Sequence, residues 1–349
     1  MTQSQLRFPA EWEPQAAVLI AWPHAGTDWA ERLGAVEDTY VALVAAITRF
    51  QDAVVIVSDD DLAAYARARL ASARVDMDRV RFVHAPYDDT WLRDSGPITL
   101  RDGDGFRLVD FRFTGWGGKF EASRDDALVQ ALADGGVFAN ATRAPVDFAL
   151  EGGGIETDGT GSLLTTWRCL HERHPALTRE AISERLATSL AQDRVLWLDH
   201  GALEGDDTDA HIDTLARFAA PDAIVYQGCD DPGDAHYDDL QAMARELAAL
   251  RTRDGRPYRL FELPWAPAVI DEGRRLAASY ANFLIVNGAV LMPAYGSDAA
   301  GLEADAKAQK MMALAFPERE IVAIDCRPLI WQNGSLHCIT MQLPQGVVA

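Results

Sequence analysis

The chain has 349 residues, 48% hydrophobic and 24% charged, with a mean hydropathy of −0.10, a composition typical of a globular protein with a sizeable core. Its 32 basic and 53 acidic side chains give a formal net charge of −21. This balance argues against nucleic acid and anionic membranes as partners, because both bind clustered lysine and arginine. It suits a cationic substrate, although acidity also serves solubility alone.

Short β-type runs alternate with helical patterns along the chain, which predicts an α/β protein. Asn287-Gly288 predicts a tight hairpin between two of the runs. Hairpins mixed with helices favour a ring of small repeated units over a doubly wound parallel sheet. The predicted strands lie at 17–22, 54–57, 80–83, 106–113, 195–198, 223–226, 259–262, 283–292 and 321–324. The predicted helices lie at 35–50, 61–73, 126–133, 178–191, 238–250 and 300–314.

No low-complexity linker divides the chain, so residues 1–349 are interpreted as one domain. Residues 1–8 show no apolar signal core, and no run is long enough to cross a bilayer. The reducing cytoplasm is therefore the expected compartment. Of the four cysteines, Cys169 and Cys326 lie in apolar stretches and are expected to be buried, inert thiols.

Cys338 is a candidate nucleophile, in the segment Ser335-Leu336-His337-Cys338-Ile339-Thr340 after Gly334. Residues 336–339 resemble a strand, in which neighbouring side chains point to opposite faces. If these residues form a strand, His337 points away from Cys338 and is not the base that activates it. A lone cysteine here is more often structural, so the assignment depends on partners elsewhere in the chain.

Asp94 is a candidate ligand for a guanidinium group, in the segment Trp91-Leu92-Arg93-Asp94-Ser95-Gly96-Pro97. A carboxylate and a guanidinium fit as a planar fork of two charge-assisted hydrogen bonds. Trp91 could flank the cation, and Asp88 adds a carboxylate nearby. The alternative is that Asp94 only closes the turn before Gly96-Pro97.

His211 and Asp213 form a second candidate pair, two residues apart. They share a face on a strand and diverge on a helix. His211 is a candidate general acid/base, because histidine titrates near neutral pH. The alternatives are a solvated surface histidine and a metal-dependent hydrolase that uses this pair. Glu151 precedes three glycines, which form either a ligand-binding loop or only a hairpin corner.

Together these segments resemble the agmatine deiminase family, within the guanidino-group-modifying superfamily, almost from end to end. Two segments depart from the family pattern, 119–123 and 332–336, both where the substrate tail is expected. The segments that carry the resemblance are 8–14, 21–24, 91–97, 116–119, 150–154, 211–213, 279–283 and 337–340.

The resemblance implies a single-domain, five-fold pseudosymmetric α/β propeller of the pentein type, with the site at its centre. It implies Cys338 as nucleophile and His211 as acid/base, while Asp94 and Asp213 grip the guanidinium and Glu151 binds it and orients His211. No metal and no cofactor are expected. The expected substrate-binding residues are Trp91, Asp94, Asp213, Asp88, Trp116 and Lys119.

The expected reaction is hydrolysis of agmatine to N-carbamoylputrescine and ammonia, a step toward putrescine. A close alternative is deimination of arginine or peptidyl-arginine. An alternative of another class is an inert propeller that only binds a partner. The expected partner is a small cationic guanidino compound, with neither nucleic acid nor membrane, and a homodimer is allowed.

Overall fold

The computed structural model describes residues 6–349. Its strands follow one another along the whole of that range, mostly in groups of three. The strands, in chain order, are β1 Gln15–Ala21, β2 Asp52–Val57, β3 Val80–His84, β4 Ile98–Asp102, β5 Gly105–Arg112, β6 Ala141–Ala149, β7 Ile155–Thr157, β8 Ser162–Thr166, β9 Arg194–Leu198, β10 Ala216–Ala220, β11 Ala223–Gln227, β12 Arg259–Leu263, β13 Val269–Asp271, β14 Arg274–Leu276, β15 Leu284–Val286, β16 Ala289–Ala294, β17 Glu320–Asp325 and β18 Met341–Pro344.

Five separate sheets share one pairing pattern, in which an edge strand pairs antiparallel with its neighbour and that neighbour pairs parallel with the next. The sheets are β18-β1-β2-β3, β4-β5-β6, β7-β8-β9, β10-β11-β12 and β15-β16-β17. The first sheet joins distant parts of the chain, because β18 pairs with β1. A small hairpin, β13-β14, stands apart from the pattern. The predicted α/β class is thus confirmed.

Helices connect the parallel strands and pack on the sheets. The helix Asp60–Ser72 is typical: Asp59 caps it by accepting a hydrogen bond from the amide of Leu62 at 2.9 Å. No helix in residues 6–349 combines the length and apolar character that a bilayer crossing requires. The α-helices are Leu33–Ile47, Asp60–Ser72, Leu92–Ser95, Gly115–Gly118, Ser123–Asp126, Leu128–Asp134, Trp167–Arg173, Arg179–Leu190, Tyr237–Ala249, Ala299–Ala315 and Arg327–Ile330.

The predicted hairpin at Asn287-Gly288 is confirmed, since β15 and β16 pair antiparallel across it and Gly288 has a φ of +81°. The predicted strand at 336–339 is wrong. These residues form a turn, in which the amide of Thr340 donates to the carbonyl of His337 at 3.0 Å. Residues 1–5, part of the segment searched for a signal core, lie outside the described residues.

Polar and charged side chains are buried between the sheets as well as apolar ones. Apolar residues form four core clusters. Burying charges without partners would cost several kcal/mol each, so such groups need compensating contacts or a ligand. The buried charged and histidine side chains that bear on the site are Glu11, Arg93, Asp94, Glu151, Glu156, His211, Asp213, Arg217 and His337.

Candidate active site

The predicted site residues lie on equivalent connections, each just before the edge strand that opens a sheet. Asp94 precedes β4, Glu151 precedes β7, His211 and Asp213 precede β10, and Cys338 precedes β18. The turn Gly152–Gly154, directly after Glu151, contacts both the turn that carries Asp94 and the turn that carries Asp213. The repeated pairing pattern therefore gathers side chains that are far apart in sequence.

Gly153 lies where these connections meet. A Cβ atom added there would sit 2.7 Å from His211 Nδ1, 2.8 Å from Asp94 Oδ1 and 3.2 Å from Asp213 Oδ2. These distances are shorter than a methyl group tolerates, so only glycine fits beside the three polar groups. The glycine run after Glu151 is thus the place where backbone and functional side chains pack most closely, rather than a simple hairpin corner.

Asp94 is buried and held on both carboxylate oxygens. Oδ1 accepts a hydrogen bond from the amide of Gly153 at 3.0 Å, and Oδ2 accepts one from Trp116 Nε1 at 2.9 Å. Trp116 has a φ of 56°, an unfavourable left-handed conformation for a bulky residue. Burial raises the pKa of Asp94 to about 6, because nearby Asp213 and Glu151 add to the effect and His211 only partly offsets it.

His211 stands between two carboxylates. Its Nδ1 lies 3.6 Å from Asp94 Oδ1, and its Nε2 lies 3.5 Å from Glu151 Oε2. Burial lowers the pKa of His211, but the charges of Asp94 and its other neighbours outweigh burial and raise it well above the usual range. The imidazole is therefore disposed to hold a proton that it can donate to a leaving group.

Glu151 is fully buried and uses its second oxygen to bind an arginine. Arg173 Nε donates to Glu151 Oε1 at 2.8 Å, and Arg173 Nη1 donates to Asp209 at 2.7 Å. Burial raises the pKa of Glu151, but His211 and Arg173 outweigh it, so the net shift is downward. Glu151 is thus an ionised anchor for the His211 ring.

Cys338 faces Asp213 and Asn282. Its Sγ lies 3.8 Å from Asp213 Oδ2 and 3.2 Å from Asn282 Nδ2, while its carbonyl accepts from the amide of Arg93 at 3.0 Å. Burial, and then the negative charges of Asp213 and Asp94, raise the pKa of the Cys338 thiol well above the usual range. The thiol is therefore protonated in the empty site at neutral pH.

This pKa shift predicts the pH dependence of thiol alkylation in the free protein. Below the thiol pKa, the thiolate fraction and hence the rate of iodoacetamide labelling at Cys338 should rise about tenfold per pH unit through pH 9. Mass spectrometry of the labelled peptide measures the rate, and Cys338→Ala provides the background. A plateau reached below pH 8 would contradict the prediction. Asp213→Asn should shift the curve to lower pH.

His337 does not contact the Cys338 sulfur through either ring nitrogen. Nδ1 lies 2.8 Å from Asp213 Oδ2, and Nε2 lies 2.9 Å from Glu11 Oε2. Both nitrogens are therefore occupied by carboxylates. The expectation that His337 is not the base for Cys338 agrees with these contacts, although it rested on a strand that the chain does not form.

An open cleft of about 470 Å³ is lined by both Cys338 and Asp94. Trp91 and Trp116 also line it, and Gly334 lies so close to the Trp91 ring that a Cβ there would come within 2.1 Å of it. Among the lining residues in the described chain, Arg274 is the only lysine or arginine. The further acidic residues of this cleft are Asp28, Asp88, Asp89, Glu121, Asp125 and Asp207.

Two predicted substrate-binding residues already have partners. Lys119 is not among the residues that line the cleft, and its Nζ donates to Asp209 Oδ2 at 2.8 Å. Asp88 lines the cleft and accepts a hydrogen bond from the amide of Arg124 at 2.8 Å. Asp88 therefore remains a candidate for contact with substrate, whereas the charge of Lys119 is already compensated.

Sequence reasoning assigned no role to Asn282, Arg173 or Cys169. Asn282 was inside a segment that carries the family resemblance, but its contact with the Cys338 sulfur depends on the fold. Cys169 is buried, as expected, with its Sγ 3.9 Å from Glu151 Oε2. Residues His211, Glu151 and Cys169 have ligand atoms within 4.8 Å of one another and could hold a metal ion. This set differs from the His211–Asp213 pair considered from sequence.

Comparisons with known proteins match nearly the whole chain. The family model of the Porphyromonas-type peptidyl-arginine deiminases matches residues 7–344. An agmatine deiminase of Stutzerimonas stutzeri is 34% identical, with 98% of this chain and 96% of the relative covered. One of Pseudomonas aeruginosa is also 34% identical, with 97% and 95% covered.

Solved structures of the same kinds of enzyme also match this chain over nearly its whole length. A Porphyromonas gingivalis structure, provisionally named an arginine deiminase, is 46% identical with a TM-score of 0.91, covering 99% of this chain and 100% of that one. A cysteine-to-serine variant of C. jejuni agmatine deiminase with substrate bound is 32% identical with a TM-score of 0.88, covering 98% and 97%. The chain therefore belongs to the family of agmatine deiminases and Porphyromonas-type peptidyl-arginine deiminases.

Proposed function

We propose that this protein hydrolyses the guanidinium group of agmatine to N-carbamoylputrescine and ammonia. The observation that carries the proposal is the convergence around Gly153 of an imidazole and two carboxylates that suit a flat cation, one of which lies 3.8 Å from the Cys338 thiol. The curated relatives named agmatine deiminases support the reaction class, a hydrolase acting on carbon–nitrogen bonds.

Binding orients the substrate. Asp94 and Asp213 accept hydrogen bonds from the guanidinium nitrogens, which places its carbon before the Cys338 sulfur. Glu151 holds His211 on the other side of the same group. Such positioning can lower a barrier by roughly 7–11 kcal/mol when the reacting atoms are aligned. The arriving cation also lowers the pKa of Cys338, because it offsets the negative charges that raise it.

Two half-reactions follow. The thiolate of Cys338 bonds to the guanidinium carbon and gives a tetrahedral adduct, and protonated His211 donates a proton to one nitrogen, which leaves as ammonia. The product of this step is a covalent thiouronium. His211, now neutral, takes a proton from water as the water oxygen bonds to the same carbon. The carbon–sulfur bond then breaks and releases the ureido product.

The cleft favours a substrate whose tail is positive. Agmatine carries an ammonium group at the far end of its chain, and the cleft beyond Cys338 holds carboxylates in excess over a single arginine. A carboxylate on the substrate would be repelled by most of this surface. Agmatine is therefore preferred over free arginine, whose α-carboxylate adds a negative charge.

A substrate panel tests the proposal. We expect kcat/KM for ammonia release to be at least about 100-fold higher with agmatine than with free arginine or an arginine-containing peptide, because unpaired charges in a cleft cost several kcal/mol. Ammonia is measured by a coupled assay at equal enzyme concentration, with Cys338→Ala as the blank. Release from arginine at a rate equal to that from agmatine would overturn the substrate assignment and keep the chemistry.

Arginine is the second candidate substrate, because Arg274 lines the cleft and could pair with an α-carboxylate. The 46% identity to the chain provisionally named an arginine deiminase also favours it. Assaying Arg274→Ala with the same substrates distinguishes agmatine from arginine as the substrate. It should leave agmatine turnover unchanged if agmatine is the substrate, and it should selectively reduce arginine turnover if arginine is.

The proposal also covers the five-fold architecture, the cellular compartment and the use of the product. The repeated sheet pattern supports a five-fold propeller of the pentein type, with the site residues on the connections between sheets. The four cysteines are free thiols, which fits the reducing cytoplasm. The product would feed putrescine formation. A homodimer remains a prediction from sequence, and an inert binding module is disfavoured by the assembled thiol and imidazole.

A further inference from the structure

His337 lies deep in the protein, between the site and a buried group of charges. Its side chain is 1% exposed, and its two ring nitrogens lie 2.8 Å from Asp213 Oδ2 and 2.9 Å from Glu11 Oε2. The mechanism above makes no use of His337. Its contacts with two carboxylates nevertheless fix the position of the ring.

Both carboxylates are ionised. Burial raises the pKa of Glu11, but Arg217, His337 and Arg93 outweigh it and hold this pKa well below the usual range. Burial also raises the pKa of Asp213, but His337 and other cations outweigh it, so the net shift is downward. An ionised carboxylate only accepts hydrogen bonds, so His337 is the donor where its ring bonds to Asp213 Oδ2.

Asp213 depends on this contact more than Glu11 does. Glu11 Oε2 also accepts from Arg217 Nη2 at 2.7 Å and lies 3.7 Å from Arg93 Nη2. Asp213 Oδ2, by contrast, has only the Cys338 thiol at 3.8 Å besides His337 as a hydrogen-bond partner among residues 6–349. Removing the ring would leave Glu11 with its arginines and Asp213 without an anchor.

The other oxygen of Asp213 is available for a ligand. Asp213 Oδ1 is buried and has no hydrogen-bond partner within residues 6–349. A buried carboxylate oxygen without a donor is costly, which indicates a position completed by a bound group. One oxygen is thus held by His337 beside Cys338, while the other has no hydrogen-bond partner among the described residues.

We propose that His337 is a positioning residue: its ring, held between Glu11 and Asp213, anchors Asp213 Oδ2 beside Cys338 for contact with the substrate guanidinium. This inference rests on the proposed function, since it names how the guanidinium-binding carboxylate is held. It gives the two histidines of the site separate tasks. His211 exchanges protons during the reaction, and His337 holds a carboxylate in place.

A matched pair of variants tests the proposal. The amide nitrogen of asparagine occupies the place of histidine Nδ1 and can still donate to Asp213, whereas that of glutamine occupies the place of Nε2 and can donate only to Glu11. Each change is combined with Cys338→Ala, so that calorimetry measures agmatine binding without turnover. We expect His337→Gln to weaken binding about tenfold or more, and His337→Asn to stay within about threefold of the Cys338→Ala parent.

The reverse order, or equal weakening by both variants, would overturn the positioning role. A spectroscopic arm covers the case in which a variant fails to fold. In ¹⁵N-histidine-labelled wild-type protein, His337 Nδ1 should show the chemical shift of a nitrogen that donates a hydrogen bond. A non-protonated Nδ1 would overturn the anchoring contact with Asp213. Failure of the wild type to release ammonia from agmatine would refute the proposed function instead. The spectroscopic measurement does not depend on turnover and would still test the hydrogen bond of His337.

Discussion

Cys338→Ala should reduce ammonia release from agmatine by about 10⁴-fold or more, because it removes the sulfur that, on the proposed mechanism, bonds to the guanidinium carbon. The sulfur lies 3.8 Å from Asp213 Oδ2 and lines the cleft together with Asp94. Steady-state assays measure the loss. Intact-protein mass spectrometry after rapid quench should show an adduct on the wild type and none on the variant.

Cys326→Ala is the matched control for this experiment. Cys326 is also a buried free cysteine, but it does not line the cleft. Its replacement should leave kcat near the wild-type value, so a loss specific to Cys338 separates chemistry from the general effect of removing a buried thiol. Retention of half of the wild-type rate by Cys338→Ala would end the proposed mechanism.

His211→Ala should lower kcat by about 10²–10⁴-fold, the range expected when a general acid/base is removed. The effect falls on both half-reactions, because His211 protonates the departing ammonia and later activates water. Its raised pKa means that the ring is protonated when the substrate binds and that this proton is available for donation. The measurement is kcat as a function of pH, together with agmatine affinity in the variant.

His200→Ala serves as the control. His200 also contacts a carboxylate, with its Nδ1 2.6 Å from Glu246 Oε1, but its side chain is 49% exposed, whereas that of His211 is 1% exposed between Asp94 and Glu151. We expect its replacement to leave kcat and the pH profile unchanged. A loss of less than about tenfold in His211→Ala would show that another group supplies the proton.

Local patterns predicted many of the elements, because they depend on neighbours in sequence. The Asn287-Gly288 hairpin and the helix capped by Asp59 follow from turn and capping chemistry. The strand at 336–339 was wrong because tertiary contacts decide this segment: the amide of His337 donates to Asn282 and the carbonyl of Cys338 accepts from Arg93. The pairing of β18 with β1 was likewise beyond any local signal.

The sequence pointed to those site residues whose chemistry follows from their type and segment. Asp94, His211, Asp213 and Cys338 were predicted because their groups suit a guanidinium, and the family resemblance joined them; their roles stay predictions. Glu11 was within one of the quoted segments, yet its role was invisible because its contact with His337 spans 326 positions. Lys119 was expected at the substrate from its charge, and the nearby Asp209 that compensates it could not be foreseen.

The pairing of β18 with β1 has a consequence for how activity arises during synthesis. Translation produces Asp94, Glu151, His211 and Asp213 well before Cys338, so a nascent chain on the ribosome holds the proposed guanidinium-binding groups before the Cys338 sulfur exists. Only when residues through Pro344 have emerged can β18 join the sheet that holds β1 and bring the Cys338 thiol into place. On the proposed mechanism, activity therefore waits for β18 to pair with β1.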